Sequence, residues 1–294
     1  MRGDKLQKHR RQYPACSLPV ATWLIRMTHP FESRFTGIVL AGERGPHDPV
    51  AQAAGVCCKS LAPVAGKPMV LRVMDTLDAA ADIGEQILCG PAWETVKRSP
   101  ELQRRIESGN VRWMAPKSSP SRSAFRALQS LPRETPALIT TADHALLNTD
   151  ILDYFCEHAR GSGCDVVVGL ASHELVTRTY PDVRRTVIRF RDHDYQGCNL
   201  FAFLSPESRQ AARFWKRIEH QRKHPLRLMS VLGWTTVLRY LCNRMSLDET
   251  LAALSRRVQV RIGAVILPFA EAAIDVDKVS DWEFAQQVLG ASDT

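Results

Sequence analysis

The stretch Thr36-Gly37-Ile38-Val39-Leu40-Ala41-Gly42-Glu43-Arg44-Gly45 sets the frame for the rest of the chain. A short apolar run of this kind suits a buried strand, and the polar residues Gly42 to Pro49, rich in glycine and proline, read as the loop that leaves its carboxyl end. Downstream, apolar runs alternate with helical patterns. Lys67 to Leu77 opens behind Gly66 with Pro68 at an early helical position and lines up Met69, Val73, Met74 and Leu77, which predicts a helix. Gln86 to Cys89, Val111 to Met114, Ala137 to Thr141 and Asp165 to Leu170 predict strands, with a helix over Ala124 to Leu131. Thr186 to Phe190 and Asn199 to Leu204 read as a β pair around the turn His193 to Gly197, and Val265 to Leu267 closes the series. This alternation is what repeated βαβ units produce. The predicted fold is α/β: a three-layer α/β/α sandwich on a mostly parallel, Rossmann-like sheet.

Composition bounds the rest. A chain of 294 residues accommodates one α/β core of roughly 200–250 residues with extensions. With 45% hydrophobic and 24% charged residues it falls outside the disordered, collagen-like and low-complexity classes. No run approaches the roughly 20 apolar residues a membrane-spanning helix needs. Residues 1–33 read as a mobile basic extension carrying Arg2, Lys5, Lys8, Arg10 and Arg11 rather than a signal peptide, and residues 34–290 as the functional domain. The eight cysteines form no CxxC pair and no metal-ligand spacing, so they read as reduced thiols of a cytoplasmic protein.

The net charge of +8 calls for an anionic partner. A helical insertion over residues 206–261 holds twelve basic residues against four acidic ones, enough to account for the whole excess. Trp215, Trp234, Leu238 and Tyr240 interleave with its arginines, so peripheral contact with anionic lipid is one expectation; a solvated outer face on helices covering the sheet is the plainer one. Nucleic acid is not expected, because no helix-turn-helix, zinc-finger or RNA-recognition signature is present.

Three motifs carry chemistry. In Leu40-Ala41-Gly42-Glu43-Arg44, followed by Lys59, a glycine at a strand end lets backbone amides approach a phosphate chain. Arg44 can grip its oxygens, and a lysine further on can neutralise charge developing on a reacting phosphoryl group. In Thr140-Thr141-Ala142-Asp143-His144, Asp143 stands just past a buried strand, in the crevice where open α/β sheets bind ligands, while His144 reads as a neutral hydrogen-bonding residue. In Ile274-Asp275-Val276-Asp277-Lys278-Val279-Ser280-Asp281, Asp275 and Asp277 share a side if the backbone is extended, and Asp281 reads as a helix cap.

Taken in order, Leu40-Ala41-Gly42, Arg44, Lys59-Ser60-Leu61-Ala62-Pro63-Val64 and Gly66-Lys67-Pro68-Met69 resemble the signature of MobA-like NTP transferases and sugar-1-phosphate nucleotidyltransferases, enzymes of GT-A-like fold. The departures are Glu43 in place of a second glycine and a longer spacing between Arg44 and Lys59. The resemblance extends over residues 36–288 and is dense at 38–77, 138–147 and 274–285. It implies transfer of a nucleoside monophosphate from a nucleoside triphosphate to a phosphorylated small-molecule acceptor, with release of pyrophosphate and with Mg²⁺ or Mn²⁺ as cofactor. Carried over residue by residue, it makes Arg44, Lys59 and Asp143 catalytic. Leu40, Ala41, Gly42, Glu43, Arg44, Lys59, Ser121, Ser123 and Asp143 would contact the nucleotide, Arg184, Arg185 and Asn199 the acceptor, and Asp143, Asp275 and Asp277 the metal.

Two other functions compete. A GT-A-type glycosyltransferase consuming a nucleotide sugar also needs an acidic metal site, but it carries its Asp-x-Asp in mid-domain, and a Gly-Arg-Lys loop suits a full triphosphate. In a non-catalytic nucleotide or lipid-surface binder, Glu43 would mark decay of the loop; retention of Arg44, Lys59, Asp143 and Asp275 together argues against that.

Overall fold

The computed structural model describes residues 34–43, 45, 47–219 and 244–290. The N-terminal extension, Arg44, and the insertion's Trp234, Leu238 and Tyr240 lie outside the described residues. The central strand is β1 (Phe35–Leu40), whose six residues are all buried, as the apolar reading requires. It pairs in parallel with β4 (Ile83–Cys89) on one side and β6 (Ala137–Thr141) on the other. Beyond β4 lies β5 (Val111–Met114), also parallel. Beyond β6 comes β9 (Asp194–Phe203), antiparallel to both β6 and β7 (Val166–Ser172), and β10 (Ile262–Leu267) closes the sheet in parallel with β7. The strand order is therefore β5-β4-β1-β6-β9-β7-β10, with the short β8 (Ile188–Arg189) paired to β9. The chain leaves β1 toward β4 and β5 and returns to β1's other side with β6, so a topological switch point lies between β1 and β6.

Alternation along β1 sends Phe35 and Val39 to one face of the sheet and Ile38 and Leu40 to the other. The first face is covered by α2 (Met69–Ala79), α6 (Thr149–Gly161) and α10 (Val279–Gly290), through Met74, Leu77, Phe155 and Ala285. The second is covered by α5 (Pro120–Gln129) and α8 (Arg209–Glu219), with α9 (Leu247–Val258) over β7 and β10. This is the three-layer α/β/α sandwich with a mostly parallel sheet. Short helices α1 (Pro49–Ala53), α3 (Trp93–Val96), α4 (Pro100–Glu107) and α7 (His173–Thr179) complete it. Of residues 206–261, the described ones include α8 and α9.

Two boundaries differ from expectation for local reasons. The helix predicted from Lys67 begins at Met69, because Lys67–Pro68 is a strand (β3) paired with Pro63–Val64 (β2). Ala65 and Gly66, at φ 47° and 74°, supply the two left-handed residues that so tight a hairpin needs. The turn expected at His193–Gly197 falls earlier, because Ile188 and Arg189 pair with Tyr195 and Asp194. Strand β9 also carries a bulge: Val168 faces Phe201 but Leu170 faces Gly197, so two extra residues are accommodated around Asn199, which adopts φ 48°. Asparagine is among the few non-glycine residues that tolerate that region.

Candidate active site

The described residues of the three motifs meet at the carboxyl edge of β1 and β6. Ala142 N–H donates to the Leu40 carbonyl (3.0 Å), and Val276 N–H donates to the Asp143 carbonyl (2.9 Å), so the segment after β10 is threaded onto the end of β6 by backbone bonds. Lys59 enters from a one-turn 3-10 helix, Lys59–Leu61. Its Nζ donates to Asp143 Oδ2 (2.6 Å) and to the Val276 carbonyl (2.8 Å), and lies 3.7 Å from Asp277 Oδ1. Burial works against the Asp143 carboxylate, but the Lys59 ammonium outweighs it by charge and hydrogen bond and holds its pKa below the ordinary value. His144 is fully buried, which pushes its pKa down to about 4; against the expectation of a hydrogen-bonding residue, neither ring nitrogen has a side-chain or backbone partner within hydrogen-bond geometry among the described residues.

Asp143, Asp275 and Asp277 each offer a carboxylate oxygen, and the three oxygens lie within 4.8 Å of one another. Asp143 Oδ1 is buried and has no hydrogen-bond partner. Three hard oxygen donors, one of them unsatisfied, fit a hard divalent cation such as Mg²⁺. Asp275 is itself held from two sides: Arg185 forms a short ion pair with it, and Asn199 Nδ2 donates to its Oδ2 at 3.0 Å. Arg185 also donates to the Asp275 carbonyl (2.8 Å) and sits 3.4 Å from Asp281 Oδ2. Asp281, in the first turn of α10, accepts from the N–H groups of Asp277 (3.1 Å) and Lys278 (3.2 Å), so it caps the helix and fixes the loop that carries Asp277. The bulge explains Asn199: its extra residues and left-handed backbone turn the side chain out of the ladder toward Asp275.

The front loop is organised differently. Gly90, at φ 87°, packs so closely that a Cβ there would stand 2.6 Å from the Ala41 carbonyl oxygen; only glycine fits beneath the turn at the end of β1. Gly42 and Glu43 are exposed, and Glu43 Oε1 accepts the N–H of Ala92 at 3.1 Å. The carboxylate that departs from the usual glycine thus ties the loop after β4 to the loop after β1. Lys67 pairs with Asp75 on the surface, which makes the Gly66-Lys67-Pro68 motif a hairpin and helix entry rather than part of the crevice.

Of the residues singled out from sequence, Lys59, Asp143, Arg185, Asn199, Asp275 and Asp277 converge in one network. Ser121 and Ser123 are buried in the first turns of α5: Ser123 Oγ accepts the Lys117 N–H (2.9 Å), and Ser121 Oγ meets the Glu219 carboxylate. Arg184 is exposed. Sequence reading missed three contributions, namely the Val276 carbonyl, the grip of Arg185 and Asn199 on Asp275, and the Glu43–Ala92 bond. Each is a tertiary contact between segments distant in the chain, and none has a local pattern.

Residues 37–259 match the profile of the family described as MobA-like NTP transferase domain. No curated protein matches the chain. Among solved structures, a hypothetical transferase from Thermus thermophilus superposes with TM-score 0.70 at 27% identity, over 85% of this chain and 99% of that one. A CMP:2-keto-3-deoxy-manno-octonic acid synthetase complexed with CTP gives TM-score 0.53 at 11% identity, over 88% of this chain and 100% of that one. A 4-diphosphocytidyl-2C-methyl-D-erythritol synthase from Anaerococcus prevotii gives 0.53 at 14%, over 88% and 96%. The last two likenesses are of fold alone.

Proposed function

Because the chain belongs to the MobA-like NTP transferase family and is a nucleotidyltransferase, we propose that it transfers a nucleoside monophosphate from a nucleoside triphosphate to a phosphorylated sugar, polyol or similar acceptor. An oxygen of the acceptor phosphate attacks the α-phosphorus. A new P–O bond forms, the bond to the β-phosphate oxygen breaks, and its electron pair leaves with pyrophosphate. The acceptor phosphate is already ionised near neutral pH, so no general base is required. What the protein must supply is alignment and stabilisation of added negative charge.

The observation that carries this reading is the Lys59 ammonium between Asp143 and Asp277 at the β1/β6 switch point. Gly42 offers backbone amides to the triphosphate, with Leu40, Ala41 and Glu43 shaping the turn. Arg44 and Lys59 stabilise its phosphates. Ser121 and Ser123 lie on the helix that would read base and ribose. Arg184, Arg185 and Asn199 serve the acceptor phosphate, Arg184 through the planar guanidinium fork suited to it, and Arg185 and Asn199 through Asp275, which they hold in place. Asp143, Asp275 and Asp277 would hold Mg²⁺ or Mn²⁺, which when bound would polarise phosphate oxygens and offset their charge. Among the described residues no helix is long and apolar enough to cross a membrane. We place the reaction in the cytoplasm, in a catalytic domain spanning residues 34–290 with residues 1–33 as an extension.

The test is Asp143→Asn. Pyrophosphate release should fall by about a hundredfold or more while the circular dichroism spectrum is kept, and unchanged release would overturn the assignment. A matrix of the four nucleoside triphosphates against phosphorylated sugars and polyols identifies the substrates.

A further inference from the structure

A second concave site lies away from the crevice. A cavity of about 560 Å³ is lined by α5, α8 and the end of α9. Leu131 and Arg133 precede β6, and Val258 precedes β10, so the cavity sits by the amino ends of strands whose carboxyl ends carry the crevice. Its apolar lining includes Phe125, Leu128, Phe214 and Val258. Around them stand Arg133, Arg209, Arg213, Arg217 and Arg257, and among the described residues no acidic side chain lines it.

The innermost arginine is Arg209. Its Nη2 donates to the carbonyls of Thr135 (3.0 Å) and Pro132 (3.5 Å), while Nε and Nη1 are buried with no hydrogen-bond partner. Burial lowers its pKa from the ordinary value, as expected for a charge held out of water with no counter-charge. Among the described residues, Arg133, Arg209, Arg213 and Arg217 are in no ion pair with a carboxylate. Four like charges around one concavity, with no carboxylate paired to them among the described residues, repel one another, and such an arrangement becomes favourable when an anion enters. Guanidinium groups fit phosphate oxygens in particular, and the volume falls within the range of small-molecule pockets, roughly 300–1,000 Å³. Gln129 and Gln210 add neutral hydrogen-bonding groups.

We infer that this cavity binds a phosphorylated ligand bearing at least two negative charges, at a site separate from the catalytic crevice. The shared chemistry is a phosphate group on a body with apolar surface, supplied either by a free metabolite or by a lipid headgroup. The inference does not depend on the substrate assigned to the crevice.

Isothermal titration of the full chain with inorganic tripolyphosphate in EDTA tests it, alongside co-sedimentation with phosphatidylcholine vesicles containing phosphatidic acid. Arg209→Gln and the rim variant Arg213→Glu/Arg217→Glu should each weaken binding at least about tenfold, and added NaCl should weaken it further. Lys59→Ala, whose side chain lies in the crevice and not in the cavity lining, should leave it in place under conditions where circular dichroism shows the variant folded. The rim variant keeps the test decisive if Arg209→Gln is unstable. Binding of tripolyphosphate assigns the site to soluble ligands; sedimentation without it, lost in the rim variant, assigns the site to headgroups. Binding lost in Lys59→Ala but kept in the arginine variants, or no binding of either probe, would overturn the inference.

Discussion

The two edges of the sheet treat charge in opposite ways. At the carboxyl edge, among the described residues, cations and carboxylates are interleaved: Lys59 stands against Asp143 and Asp277, and Arg185 against Asp275 and Asp281. At the amino edge, arginines line the α5/α8 cavity, and among the described residues its lining includes no carboxylate. A compensated network holds its geometry before any ligand arrives, which is what preorganised electrostatic catalysis requires. An uncompensated one has a free-energy reason to take up an anion. Lys59→Met breaks this contrast most severely, because it strands Asp143, whose side chain is 16% exposed, without its cation. We expect pyrophosphate release to fall by about a hundredfold or more and unfolding free energy to drop by on the order of 3 kcal/mol, read by urea denaturation. A variant as stable as wild type would show that the crevice does not depend on Lys59 for charge balance.

The amino edge also contains a compensated pair, and it sharpens the comparison. Asp165, which precedes β7, accepts from Arg261 N (2.8 Å), Nε (3.2 Å) and Nη2 (3.0 Å). Burial raises its pKa, but the Arg261 hydrogen bonds outweigh that and hold it below the ordinary carboxylate value. A folded-state pKa below the unfolded one gives stability that is present above the unfolded value of about 3.9 and lost as pH falls toward the folded value. Asp165→Asn should therefore cost about 2 kcal/mol at pH 7, and the gap from wild type should close in acid, below about pH 4. A gap of the same size at pH 7 and pH 3 would mean that the pair acts through packing. Arg261 thus shows that an arginine on this edge can be given a carboxylate, which leaves Arg133, Arg209, Arg213 and Arg217 as the exception among the described residues.

Much of this arrangement is legible in the sequence, for reasons that differ from residue to residue. Val111–Met114 and Ala137–Thr141 are strands with the bounds their apolar runs imply, and Asp143 follows the second as the switch-point rule requires. The Gly66 hairpin is misread as a helix start because Pro68 fits either context; what decides is the left-handed pair Ala65-Gly66, and alanine there gives no warning. The bulge at Asn199 is invisible because two extra residues in one strand disturb no periodicity that its partner shares. Arg185 reads as a phosphate clamp because arginine chemistry is the same for a carboxylate as for a phosphate. Its position on Asp275 comes only from the closure of the sheet.

Glu43 gives the smallest expected effect, because its role is divided. Its carboxylate fixes the Ala92 N–H, which favours the present loop, and it also places negative charge where the proposed triphosphate would lie, which disfavours that ligand. Both effects are exposed to solvent and screened by salt, so neither exceeds about 1 kcal/mol. Glu43→Gly should leave unfolding free energy within about 1 kcal/mol of wild type. At low ionic strength, removing the repulsion should lower the KM for the nucleoside triphosphate about two- to fivefold with kcat unchanged, and the difference should shrink as salt is added. If KM rises instead, holding Ala92 matters more to the nucleotide than the charge does. Glu43 would then belong with the compensated groups of the crevice, its negative end satisfied by a backbone dipole rather than by a cation.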